Sequence, residues 1–321
     1  VDTLDTALAN LTAPMVLAFA LGAGATLLGS DLRFPRAIAK GLSIYLLFAI
    51  GLKGGVALRE TSPGEIWLPA LVTLALGVTI PVAVFLVAHR LSGFGRVDAA
   101  ALAAHYGSVS AVTFAAALAF TREAGVAAEG FLATLLAILE VPGIIVALLI
   151  AGRSVGGGRR GWGDVLRETL AGTSVVLLVG GLAIGAASGP EGYAPVEPFF
   201  GGLFYGILTL FLLELGTVAA ARAREVRAVA RRLVPLGLGL PVVNGCVGAL
   251  AGTAAGLSVG GATVLGAMAA SASYIAAPAA VRIALPQANP GISLTAAVAI
   301  TFPFNLVAGI PLCYLVAVWA A

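Results

Sequence analysis

Apolar residues run along this chain in ten blocks separated by short polar stretches. Most blocks are about 20 residues long, the length a helix needs to cross the hydrocarbon core of a bilayer. The blocks lie at 13–28, 37–58, 66–88, 97–120 and 127–151, and then at 166–187, 199–223, 229–257, 259–285 and 292–319. The pattern predicts an all-α polytopic membrane protein with about ten transmembrane helices.

Two blocks carry a polar triplet at mid-block. The fourth reads AALAAHYGSVSAVTF, with Gly107, Ser108 and Ser110, and the ninth reads AMAASASYIAAPAAV, with Ser271, Ala272, Ser273 and Tyr274. The triplets are 163 residues apart, and the same offset pairs Leu102 with Leu265, Ala104 with Ala267, Gly22 with Gly185, Phe48 with Phe211 and Leu52 with Leu215. This is the mark of an internal duplication. The expected organisation is a first five-helix repeat at 1–152, a basic glycine-rich linker at 153–164 and a second five-helix repeat at 165–321. Five crossings is an odd number, so the second repeat enters the membrane from the opposite side, and the repeats are expected to be inverted.

Composition excludes a water-soluble globule: 60% of residues are hydrophobic and 10% charged, with mean hydropathy +1.05, against about a quarter charged in soluble domains. The charges then orient the chain, because lysine and arginine collect in cytoplasmic loops. With both termini outside, 15 of the 18 basic residues fall in cytoplasmic connections; the others are Arg59, Arg122 and Lys53. The net charge of +3 is thereby explained by orientation and gives no indication of a nucleic-acid partner. Cys246 and Cys313 lie inside apolar blocks and read as small buried hydrophobes. With no Ser/His/Asp, Cys/His or metal-binding constellation, the chain does not read as an enzyme.

Glycine and the serines in block four, and Pro278 in block nine, predict helices broken at mid-membrane. A break frees backbone amides at the positive end of the following half-helix. Two such ends facing one cavity can hold a small anion, with Ser108, Ser110, Ser271 and Ser273 as caps or ligands. Freed carbonyls and hydroxyls can hold a sodium ion beside it. The alternative is that small residues only let two helices pack closely. Glu140, just before Pro142, is an intramembrane carboxylate and a candidate for cation ligation or proton coupling, or for a structural hydrogen bond to a broken helix. Thr113, one turn after the first triplet, is a further candidate ligand. Glu214 reads as a structural pairing residue, His105 as a satisfied core histidine, Lys53 as a snorkelling side chain, and Tyr274 as a cavity-closing or packing residue.

Several stretches together carry a resemblance: GLKGGVALRE from Gly51, GSVSAVTFAAAL from Gly107, EVPGIIVALLIA from Glu140, LSVGGATVLGAMAASASYIAAP from Leu257, VRIALPQANPG from Val281 and AGIPLCYL from Ala308. In these the chain resembles the sodium-dependent bicarbonate transporter family (SbtA-like), of which it looks like a divergent member. The resemblance implies an inverted five-plus-five fold in a bacterial inner (plasma) membrane and a homotrimer surrounded by lipid. It also implies bicarbonate and sodium held between the broken helices, and a PII-type regulator on the cytoplasmic face. By matching position it implies a site at Gly107, Ser108, Ser110, Ser271 and Ser273, with Glu140; taken with the reading of the residues themselves, the expected substrate-binding set is Gly107, Ser108, Ser110, Ser271, Ala272, Ser273 and Tyr274, and the expected cation ligands are Ser110, Thr113, Glu140 and Ser273. The chain departs from the family pattern at Tyr274, where that pattern has an acid, and at Ala272, Ala276 and Ala277. The expected function is sodium-coupled symport of a small anion, bicarbonate first, with no cofactor beyond the coupling ion. The alternatives are a proton-coupled or uncoupled carrier of another small anion or monocarboxylate, and a membrane-embedded anion sensor or scaffold.

Overall fold

The computed structural model describes residues 10–152, 162–225 and 229–321. Most of the glycine-rich linker falls outside the described residues. The described residues contain helices and no strand. In order they are α1 (Pro14–Leu27), α2 (Arg36–Glu60), α3 (Pro63–Leu91), α4 (Arg96–Gly107), α5 (Ala111–Glu123), α6 (Leu132–Glu140) and α7 (Pro142–Gly152). After the linker come α8 (Trp162–Leu170), α9 (Thr173–Tyr193), α10 (Phe204–Glu225), α11 (Ala230–Ala254), α12 (Val259–Ala269), α13 (Ala276–Ala284) and α14 (Pro290–Ala320).

Among the described residues eight helical stretches are long and apolar enough to cross a membrane, which makes this an integral membrane protein. The two remaining expected spans are α1, of 14 residues, and the interrupted pair α12 and α13. Proline opens α1, α3 and α14, where its fixed φ suits the first helical turn and its missing N–H costs nothing. The fourth and ninth blocks are broken as expected, at 108–110 and 270–275.

Several boundaries differ from the sequence reading. The fifth span begins at Leu132 rather than at 127, because Gly125, at φ +67°, turns the chain and 126–131 form a loop. That span is itself interrupted at Val141, where Pro142 cannot donate to the ladder. The sixth span begins at Thr173 rather than at 166, because the polar sequence WGDVLRETL forms a separate short helix, α8. At the far end of α9, Gly189 takes φ +64° ahead of Pro190, and the Arg59 guanidinium donates to the carbonyls of Ala186 and Ala187 at 3.3 and 3.0 Å. The carbonyls freed by the kink are thus satisfied by a cation.

The helices sort into two bodies. α1, α2, α9 and α10 form a panel in which α2 packs along α9 and α1 along α10; the remaining spans form a core in which α4 packs on α3 and α7, and α12 on α11 and α14. Glycines set the panel contacts, and the contacts are reciprocal. A β-carbon on Gly22 would strike the Leu213 carbonyl and the Thr217 amide, and one on Gly185 would strike the Leu52 carbonyl and the Val56 amide. Likewise Gly216 abuts Phe19 and Ala23, and Gly55 abuts Leu182 and Ala186. Residues of α1 therefore correspond to residues of α9 at 163, while residues of α2 correspond to residues of α10 at 161. This corrects the matches of Phe48 to Phe211 and Leu52 to Leu215 by two residues.

Two further contacts tie the core halves together in matching places. The loop before α6 sends Glu129 to accept the Ser258 amide at 2.6 Å, at the start of α12. At the start of α4, Asp98 accepts the Asn289 amide at 2.8 Å, from the loop before α14. Each is a carboxylate on a backbone N–H, the stronger class of hydrogen bond.

Candidate functional site

The two breaks cross each other inside the core. The Ser110 amide donates to the Ser271 hydroxyl at 2.9 Å, and that hydroxyl donates to the Met268 carbonyl at 2.7 Å. In return the Ser273 amide donates to the carbonyls of His105 at 2.7 Å and Ser108 at 3.1 Å. The extended segments thus exchange hydrogen bonds like two short strands.

Each second serine then caps the half-helix that follows it. Ser110 Oγ accepts the Thr113 amide at 3.2 Å. Ser273 Oγ accepts the amides of Ala276 at 3.3 Å and Ala277 at 3.4 Å. Ser110 is the N-cap of α5 and takes up one orphan donor, while Ser273, two residues ahead of the Ile275 N-cap of α13, takes up two. The sequence reading offered the four serines as caps or ligands; the structure shows Ser110 and Ser273 taking up amides of the half-helices that follow them, and the Ser110 and Ser273 amides engaged across the crossing. Among the donors left without a partner are the first amides of α5, on Ala111 and Val112, and those of Tyr274 and Ile275 ahead of α13.

Between these ends lies a cavity of about 10 Å³, lined by Val109, Ser110, Ala111, Glu140, Ser273 and Tyr274, with Leu47, Ser174 and Ile275 closing it. That is room for about one water molecule, so a three-oxygen anion enters only if the seam widens. Glu140 is 4% exposed and shares the cavity wall with Ser174, at the start of α9. The lining therefore spans both bodies: Leu47 and Ser174 belong to the panel, the rest to the core. The Ser108 hydroxyl is buried without a partner, and the Tyr274 hydroxyl is buried beside Ser110 without a hydrogen bond of good geometry. Two unpartnered hydroxyls, free backbone amides and one buried carboxylate meet at one crossing. Amides suit an anion and the carboxylate suits a cation. Among the described residues no three His, Cys, Asp or Glu gather in a way that could hold a metal ion.

The family model of the Na+-dependent bicarbonate transporter superfamily matches residues 14–318. The chain belongs to that superfamily. No curated protein matches it.

Of the residues named from sequence, Ser110, Ser273, Tyr274 and Glu140 line the cavity. Ser271 holds the crossing together and Ser108 lies at it, while Gly107 serves close packing: a β-carbon there would sit 2.8 Å from Pro81 and 3.0 Å from Gly143 Cα. Ala272 and Thr113 are buried behind the crossing and do not line the cavity. His105 is only half satisfied; Nδ1 bonds the Ala101 carbonyl at 2.8 Å and Nε2 has no partner. The sequence reading missed Ser174, a single hydroxyl at the start of a span. Asn305 donates to the Ala270 carbonyl at 2.9 Å and so holds the open end of α12.

Proposed function

We propose that this protein is a secondary active transporter that carries bicarbonate together with sodium, by movement of the core against the panel around the crossed breaks. The observation that carries the reading is the placement of free amides from both half-helices around one cavity with a buried carboxylate. The amides of Ala111, Val112, Tyr274 and Ile275 hold the anion, and Glu140 with Ser174 and neighbouring oxygens holds sodium. Each ion lowers the cost of burying the other, and neither is held well alone. That dependence is the coupling.

The same reading treats the halves as inverted repeats, supported by the reciprocal glycine contacts and by the start of α12 at Val259, 163 residues after Arg96 at the start of α4. The arginine-rich loops are placed in the cytoplasm of a bacterial cell and both termini outside. The homotrimer and the PII-type regulator follow from the family resemblance, and sizing in detergent and co-purification test them.

The test is binding of labelled bicarbonate to purified protein at fixed pH, in sodium and in an impermeant organic cation. Sodium raising bicarbonate affinity tenfold or more is the expected result. Equal affinity in both salts would remove sodium coupling. A response to pH in place of sodium would reassign the protein as a proton-coupled carrier.

A further inference from the structure

On the side of α1, α5 and α10 the seam between core and panel opens into a cleft of about 420 Å³. Met15 of α1 and Tyr205 and Thr209 of α10 stand in its panel wall, and Ala119 and Arg122 of α5 in its core wall. The cavity at the crossing is also walled by both bodies, yet has room for about one water molecule.

Aromatic rings connect the two spaces. Met15 in the cleft wall and Phe19 lie one turn apart on α1 and share a face. The Phe19 ring lies 5.6 Å from Phe302 of α14, and Phe302 lies 6.2 Å from Tyr274, which lines the cavity at the crossing. Phe19 and Phe302 are both buried. Phe19 belongs to the panel and Phe302 and Tyr274 to the core, so the stack bridges the bodies. A second contact does the same at the cleft itself, where the Arg122 guanidinium rests 4.9 Å from the centre of the Tyr205 ring. By the 163-residue offset, Phe19 and Tyr274 correspond to Leu182 and Ala111 in the opposite halves. The stack is therefore confined to one side of the crossing. The orientation proposed from the arginines puts these ends of α1, α5 and α10 outside.

We propose that the cleft is the outer mouth of the ion path and that Phe19 against Phe302, with Tyr274 behind them, is its gate. The inference rests on the transport reading and adds to it the route and the residues that close it. Apolar rings in a narrow passage exclude water, and an ion does not pass until they part. Movement of the core against the panel carries Phe302 and Tyr274 away from Phe19, so the step that widens the crossing also opens the gate. Arg122 moves with the core and leaves Tyr205, which frees a guanidinium at the mouth for the entering anion.

The experiment uses expressing cells and a membrane-impermeant thiol reagent added from outside, with the rate of the unmodified protein, which carries Cys246 and Cys313, subtracted. Thr209→Cys reports the mouth, and Val109→Cys, in the wall of the cavity, reports the crossing. Thr209→Cys is expected to react readily and Val109→Cys at least tenfold more slowly. Adding Phe19→Ala should speed Val109→Cys at least tenfold and leave Thr209→Cys unchanged, whereas Phe19→Tyr, which keeps the ring, should change neither. An unreactive Thr209→Cys puts the mouth in lipid, and a Val109→Cys rate that ignores Phe19→Ala removes the gate; either result overturns the inference. If Phe19→Ala does not fold, Phe19→Leu, which matches the residue of the opposite half, takes its place with the same expected direction. These rates need neither bicarbonate nor a sodium gradient, so a protein that takes up no bicarbonate would lose the transport reading while the labelling still decides the gate.

Discussion

Replacing Gly143 with alanine tests whether the crossing depends on backbone contact. A β-carbon at Gly143 would fall inside the surface of the Gly107 carbonyl and 2.6 Å from Gly107 Cα. Ordinary carbon contacts lie at about 3.5 Å or more, so the two segments must part by roughly 1 Å. The atoms in the way are backbone, and no side chain can swing aside. Ser108 follows Gly107 directly, and its carbonyl holds the Ser273 amide at 3.1 Å, beside the 2.7 Å bond to the His105 carbonyl. A shift of about 1 Å along either bond takes it out of range or into overlap. Losing both costs about 2 kcal/mol at roughly 1 kcal/mol each, on top of about 1–3 kcal/mol for overpacking. The first figure alone corresponds to about thirtyfold in affinity. The assay is labelled-bicarbonate binding with thermal stability measured on the same preparation. Gly180→Ala is the control, because nothing lies within 4 Å of a β-carbon there. A Gly143→Ala protein that binds and melts like wild type would refute the reasoning.

Three further results are expected. Ser271→Ala leaves the buried Ser110 amide unsatisfied, costing about 1–3 kcal/mol, and Ser271→Thr, which keeps the hydroxyl, recovers most of the loss in a binding assay. Gly55→Ala and Gly216→Ala meet the same pair of backbone atoms in the two halves; both should destabilise by about 1–3 kcal/mol in thermal melts, and a harmless substitution at one of them would contradict the two-fold relation. Glu140→Gln removes the carboxylate from the cavity wall and should abolish the dependence of bicarbonate affinity on sodium while the anion still binds at high concentration; titrations in the two salts read this directly.

Much of the core was legible in the sequence, for a physical reason. A serine triplet or a proline inside an apolar block cannot be explained by lipid contact, so the interruptions at Gly107 and ahead of Pro278 stood out. Glu140 was visible for the same reason. The donors that matter most were not, because the amides of Ala111, Val112, Tyr274 and Ile275 belong to the backbone and leave no mark in residue type. Nor could residue types tell which amides the crossing itself would consume; that follows from Ser271 reaching Ser110 and Ser273 reaching Ser108. Ser174 escaped notice because one hydroxyl near a helix start reads as a cap. The register of the panel was misread by two residues because leucines and phenylalanines repeat closely there, whereas Gly22, Gly55, Gly185 and Gly216 touch backbone and leave no latitude.

Uptake of labelled bicarbonate into liposomes, with and without an inward sodium gradient at fixed pH, tests the central claim most directly when wild type is compared with a variant carrying both Ser110→Ala and Ser273→Ala. Sodium-driven uptake by wild type, lost in the double variant while that protein remains folded, is the predicted result. Sodium-driven uptake that persists in the double variant would contradict the site, and a folded wild type that takes up no bicarbonate under any sodium gradient would contradict the function.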